Sequence, residues 1–188
     1  MKNDLASEMY VAASRVEQTH IDWMVSNGVS PSAMAEVGRS QEPFGIGQLE
    51  FVGTGYWQPL DGPGAIGAIV QPVYEDDVLV DLIAWRSLKP LDWRWRVGAA
   101  WALGADSLHG SAWDGFASIT VHPTPLAWLA GSGEGLAILN WTSPNIRQLS
   151  QFDEIVCDDS KVAGRLNEIL SRPARVPRIV KGERRNVA

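Results

Sequence analysis

The chain has a single cysteine, Cys157, in 188 residues. That excludes an internal disulfide framework and a zinc site built from cysteines alone. Histidine is nearly as scarce: His20, His109 and His122 are scattered, with no metal-ligand spacing. No apolar run approaches the roughly 18 residues a membrane span needs. The N-terminal MKNDLASEMY lacks the basic stretch and apolar core of a secretory leader. These absences predict a soluble, cytoplasmic protein. What is present excludes a disordered or collagen-like chain: 45% of residues are hydrophobic and 20% charged. The length fits one domain of ordinary size, or one domain with a small appendage.

Charge is unevenly placed. The net −6 divides into −12 over residues 1–160 (8 basic, 20 acidic) and +6 over residues 161–188 (8 basic, 2 acidic). A body with that surplus of acid argues against a broad nucleic-acid face, and leaves the C-terminal end as the place for one. There Arg172, Arg175, Arg178, Lys181, Arg184 and Arg185 are the candidate phosphate contacts. A solubilising tail is the plainer reading of the same residues.

Tryptophan is the other surplus, with nine: Trp23, Trp57, Trp85, Trp93, Trp95, Trp101, Trp113, Trp128 and Trp141. Most fall inside apolar runs, which predicts core positions. Exposed tryptophan faces would instead suit a small flat ligand or a stacked base.

Residues 4–26 read as one amphipathic helix, with Leu5, Met9, Val16, His20 and Trp23 on one face, ended by Asn27-Gly28. A short helix starts at Ser30-Pro31 and stops at Gly38, completing a helical hairpin. From Phe44 the pattern is β-rich. It comprises a strand at Gln48–Val52, a loop over Gly53–Gly64, and a hairpin of Ala65–Val73 and Val78–Trp85 across a solvated turn, Glu75-Asp76-Asp77. The arm VLVDLIAW is nearly all apolar, so both of its faces should be covered. Trp93–Val97 interleaves rings and cations, which suits either a half-buried strand or a single-strand binder, and residues 104–116 read as loop.

The last third alternates strand and helix. Strands are expected at Ala117–His122, Gly135–Trp141 and Asp153–Cys157. Helices are opened by Thr124-Pro125, Ser143-Pro144 and Ser160. This βαβαβα order predicts parallel strands with right-handed crossovers. In such sheets chemistry sits beyond the strands' C-terminal ends, which makes His122, Asp158 and Asp159 the candidate catalytic residues. Adjacent carboxylates Asp158 and Asp159 suit Mg²⁺ completed by waters and a phosphate, although acids at that point also suit a helix N-terminus. Cys157, within an apolar run, reads as a buried, inert thiol. Gly131-Ser132-Gly133-Glu134-Gly135 is not a phosphate loop, since it precedes a strand and lacks the Lys-Ser/Thr ending.

Three stretches carry a resemblance: IDWMVSNGVSPSAMAEVG (21–38), AIVQPVYEDDVLVDLIAWR (68–86), and SITVHPTPLAWLAG through GLAILNW to EIVCDDSKVAGRL. The Ala163-Gly164-Arg165 run is the most specific piece. Over roughly residues 20–170 the chain resembles the catalytic core, with its Toprim part, of the bacterial DnaG-type primases. The resemblance implies that the βαβαβα unit over 117–171 is Toprim-like, within an α/β fold that the residue pattern divides into helices over 1–42, a β-rich segment over 43–116 with its hairpin at 65–86, that unit, and a basic extended tail over 172–188. It also implies a degenerate site. His122-Pro123 stands where the family has a Glu-Gly pair, Asp158-Asp159-Ser160 replaces Asp-x-Asp, and no upstream zinc module occurs in this sequence. The expectation is a non-catalytic, primase-like protein without a cofactor. It would act in DNA replication or mobile-element biology through nucleic acid or a replication protein. One alternative is a divergent Mg²⁺-dependent phosphotransferase or nuclease using Asp158, Asp159 and His122; the other is a small-ligand binder using tryptophan faces.

Overall fold

A computed structural model describes residues 4–110 and 117–172. It is a mixed α/β protein in which a closed five-stranded barrel is joined to a four-stranded sheet. No described helix is long and apolar enough to cross a membrane.

The expected helix over 4–26 is two helices, α1 (Leu5–Ala13) and α2 (Gln18–Ser26). The break has local causes. Ser14 turns its hydroxyl back onto the Val11 carbonyl, and Glu17 is extended, its N–H taken by the His20 ring. Side chains that bond the backbone in this way compete with helix continuation. The third helix, α3 (Pro31–Val37), starts as read, with Ser30 Oγ accepting the Ala33 N–H at 3.0 Å. The N-terminal unit is therefore three helices and not a hairpin.

The barrel consists of β1 (Gly45–Val52), β2 (Tyr56–Pro59), β3 (Ile66–Glu75), β4 (Val78–Arg86) and β5 (Lys89–Trp95), in the ring order β1-β2-β5-β4-β3. All neighbours are antiparallel except β2 and β5, whose short parallel pairing at Tyr56 and Trp95 closes the ring. The predicted hairpin is β3–β4, and Asp76 and Asp77 both take positive φ (51° and 60°), the geometry that matches strand twist in a two-residue turn. Gly53–Gly64 is not all loop: it contains β2, which buries Trp57 in the barrel.

Alternation along the strands divides the core. Leu49, Val70, Leu82 and Ala84 fill the barrel with Trp57, and α1 closes over them with Met9 and Ala12. A Cβ on Gly45 would lie 2.6 Å from Ala12, so only glycine lets α1 come so close to β1. The opposite faces of β3 and β4 present Ile69, Val73, Ile83 and Trp85 to α2, α3 and the second sheet. Both faces of the VLVDLIAW arm are covered from Asp81 to Trp85, as its composition predicts, while Val78 at its start is exposed.

The second sheet has the order β6-β8-β7-β9, from β6 (Ala102–Leu103), β7 (Ser118–His122), β8 (Leu136–Ile138) and β9 (Glu154–Val156). β7 runs parallel to both β8 and β9, while β6 adds antiparallel to β8. The segment expected to be loop from 104 holds a short helix, α4 (Ser107–Gly110). Another helix, α5 (Pro125–Ala130), carries Trp128 and Leu129 into the cluster shared with the barrel. The helix after Ser143-Pro144 is 3₁₀ (Pro144–Gln151). Its buried residues Ile146 and Leu149 are three apart, the repeat of a 3₁₀ helix. They pack with Val162 and Leu166 of α6 (Ser160–Ser171) against the sheet's other face. Ser160 is the first residue of α6 and not its cap; that role belongs to Asp159.

Candidate functional site

β7 and β9 are parallel neighbours, with Thr120 level with Val156. Their C-terminal ends therefore bring His122 and the Asp158-Asp159 pair to the same edge of the sheet, as the strand order requires. What these side chains do there is local. His122 Nε2 lies 3.0 Å from the Glu134 carbonyl. Its ring is packed so closely on Gly131 that a Cβ there would come within 2.7 Å. Asp159 Oδ1 accepts the N–H groups of Lys161 (2.8 Å) and Val162 (3.0 Å), which satisfies two of the donors a helix start leaves open. Asp158 is exposed. Among the described residues no three His, Cys, Asp or Glu side chains form a set able to hold a metal ion.

Cys157 is half-buried between these acids and the sheet's apolar face. Burial raises its thiol pKa, and the charges of Asp158 and Asp159 raise it further, so the reactive thiolate is disfavoured. The Gly131–Gly135 segment is a tight turn with Ser132, Gly133 and Gly135 at positive φ. Its carbonyls accept from Trp128 Nε1 at 3.1 Å and face the His122 ring. The segment is therefore a bracket between α5 and β8 and presents no phosphate cradle.

Of the six candidate nucleic-acid contacts, Arg172 lies within the described residues; Arg175, Arg178, Lys181, Arg184 and Arg185 lie outside them, as does Trp113. Arg172 pairs with Glu168 one turn back on α6, and its carbonyl accepts from Arg147 Nη1 at 3.0 Å. On the same helix the Arg165 guanidinium stands 4.4 Å above the ring centre of the half-buried Trp141. The other cation–ring candidate, Trp93–Arg96, is committed to the fold. Both rings pack on the central cluster, Arg94 pairs with Asp92, and Arg96 pairs with Glu8. His20 also serves the fold, as the acceptor for the Glu17 N–H.

Two acidic features were not visible as sites in the sequence. Asp81 has no solvent exposure and accepts six backbone N–H groups, from Leu82, Arg96, Val97, Gly98, Ala99 and Ala100, at 2.8–3.2 Å. A lone acid in an otherwise apolar strand was the available signal, since a buried carboxylate must be bonded to survive. The second feature corrects the solvated-turn reading of 75–77. Asp76 and Asp77 are exposed, but Glu75 is half-buried with Oε1 inaccessible. Burial raises its pKa, the Trp101 N–H opposes this, and Asp106 and Asp76 add to it. Asp106 also anchors the hairpin by accepting the Asp76 N–H at 2.7 Å.

No family model, no curated protein and no solved structure matches this chain.

Proposed function

We propose that this protein is a non-catalytic, Toprim-like binding protein of bacterial DNA replication or mobile-element biology, which meets single-stranded nucleic acid through the basic end of its chain. The observation that carries this reading is the fate of the polar atoms at the ends of β7 and β9. His122 Nε2 is turned to the Glu134 carbonyl, and Asp159 Oδ1 caps α6. That use supports a structural role for these side chains over holding a phosphate-bound ion or activating a water. Two strands parallel to a central β7, with helical crossovers, support the Toprim-like reading. The replacement of the family's Glu-Gly by His122-Pro123 supports the loss of its chemistry.

The choice of nucleic acid rests on charge and on one contact. The +6 of residues 161–188 begins on α6, and on that helix Arg165 joins a cation to the Trp141 ring. That pairing serves both a phosphate and a stacked base. The test is a salt-titrated binding assay with an oligothymidylate strand, comparing the full chain with one ended after Ser171. The expected result is affinity that falls steeply with salt and a shallower slope on truncation, by about one unit per lost phosphate contact. Equal affinity and slope for the two chains would overturn the assignment.

A further inference from the structure

A half-open cleft of about 360 Å³ lies between α2 and the barrel, and among the described residues no Asp, Glu, Lys or Arg lines it. That volume is within the range of small-molecule sites, and a junction between packed units is where such sites occur. Trp23, Phe44 and Ile46 supply apolar wall, while His20 and Gln48 supply polar groups. The wall is braced in advance. Trp23 packs on Trp85 with ring centres 6.2 Å apart and planes at 51°. The Trp85 indole N–H donates in turn to Gln71 Oε1 at 2.7 Å, with both residues fully buried. A preorganised ring of this kind loses little freedom when a ligand covers it.

His20 gives the cleft a direction. Its Nδ1 accepts the Glu17 N–H at 2.9 Å, so the proton of the neutral ring sits on Nε2 and that atom is a donor. Gly67 keeps the opposite wall low: a Cβ there would meet only Gln48 Nε2, at 3.9 Å. A charged ligand would meet no counter-ion among the described residues, which is costly in an apolar cleft. A purely aliphatic ligand would leave the imidazole donor without a partner. We infer that this cleft binds an uncharged, planar heteroaromatic molecule, its ring against Trp23 and an acceptor atom on the His20 Nε2–H. The site uses none of the residues assigned to nucleic acid, and stands or falls apart from that reading.

The experiment titrates the full chain with quinoxaline, which is neutral and planar with two acceptor nitrogens. It is compared with naphthalene, of the same outline without acceptors, and with quinoxaline-6-carboxylate. Binding is followed by calorimetry and by the tryptophan indole resonances, Trp23 being assigned through Trp23→Phe. Quinoxaline is expected to saturate and to move the Trp23 resonance, with naphthalene bound about tenfold more weakly for want of one hydrogen bond. His20→Phe should weaken quinoxaline by about tenfold and change naphthalene by less than about twofold. Gly67 does not have positive φ and is uncrowded, so Gly67→Leu should fill the mouth and abolish binding of both without altering the unfolding midpoint. No saturation by quinoxaline, binding that survives Gly67→Leu, or a carboxylate that binds as tightly would each overturn the inference.

Discussion

Arg96 holds Glu8 through two parallel bonds, Nε to Oε2 at 2.7 Å and Nη2 to Oε1 at 2.9 Å, across 88 positions of sequence. The pair is mostly shielded from water, with side-chain exposures of 15% and 21%, and the guanidinium also lies 5.6 Å from the Trp57 ring centre. It pins α1 to the barrel that this helix closes. A bidentate, shielded pair contributes more than an exposed one. Glu8→Ala is expected to cost about 2 kcal/mol in denaturant unfolding, as for a hydrogen bond to a charged group. Arg96→Ala should cost more, because the packing on Trp57 is lost as well. A double-mutant cycle should give a coupling of about 1–2 kcal/mol; additive effects would show that the clamp contributes nothing.

Asp81 organises the connection between β5 and β6. Oδ1 takes the N–H groups of Leu82, Arg96 and Val97, and Oδ2 those of Gly98, Ala99 and Ala100. Removing the carboxylate leaves six backbone donors without their acceptor, those of the buried Leu82 and Ala100 among them. Asp81→Ala is therefore expected to cost at least about 3 kcal/mol. Asp81→Asn should be nearly as damaging, since it turns an amide NH₂ toward three N–H groups. Hydrogen exchange should localise the loss of protection to 96–100. A variant with both wild-type stability and wild-type protection there would refute this role.

These two acids mark the limit of what the sequence could reveal. Patterns that depend on neighbours in the chain were readable: the β3–β4 hairpin from its two apolar arms, and the starts of α3 and α5 from hydroxyl–proline pairs. The alternation that puts His122 and the Asp158-Asp159 pair at strand ends was readable too, but not the order β6-β8-β7-β9 that makes those strands neighbours. Features that depend on distant partners were not. Nothing near Glu8 indicates Arg96, and although a lone acid in an apolar strand marks Asp81 as needing partners, nothing local says that they lie in a turn 15 to 19 residues away. Barrel closure rests on Tyr56 meeting Trp95, within a stretch whose glycines and prolines read as loop. The roles of His122 and Asp159 were undecided for the same reason, because their partners are backbone atoms that only the folded turns bring into place.

Glu75 predicts an inverted pH dependence at one position. Its pKa is raised, first by burial and then by Asp106 and Asp76, so in the window above the ordinary glutamate range the folded chain binds more protons than the unfolded one. Its contribution to stability is thus fully present at low pH and is lost as pH rises through the folded pKa. Glu75→Gln should remove that slope and make the protein more stable than wild type at pH 7. Asp106→Asn relieves one repulsion but still accepts the Asp76 N–H, and should shift the loss to lower pH. Midpoints of thermal unfolding measured from pH 4 to 8 test both. A Glu75→Gln variant less stable than wild type at pH 7 would contradict the assignment.

Cys157 reports on the charge of the candidate strand-end acids. Its thiol is raised by burial first and by Asp158 and Asp159 second, so at pH 8 it should react with iodoacetamide more slowly than free cysteine, in proportion to its smaller thiolate fraction. Asp158→Asn removes one negative neighbour while leaving the Asp159 cap of α6 intact, and should speed alkylation without destabilising the fold. Asp159→Asn can still accept the Lys161 and Val162 N–H groups, and should speed it as well. A bound divalent cation would screen both acids and accelerate the wild-type thiol on its own. Adding Mg²⁺ at constant ionic strength therefore separates the two views of this site. A rate unchanged by Mg²⁺ but raised by Asp158→Asn is the expected outcome, whereas saturable acceleration by Mg²⁺, lost in Asp158→Asn, would return the site to metal chemistry.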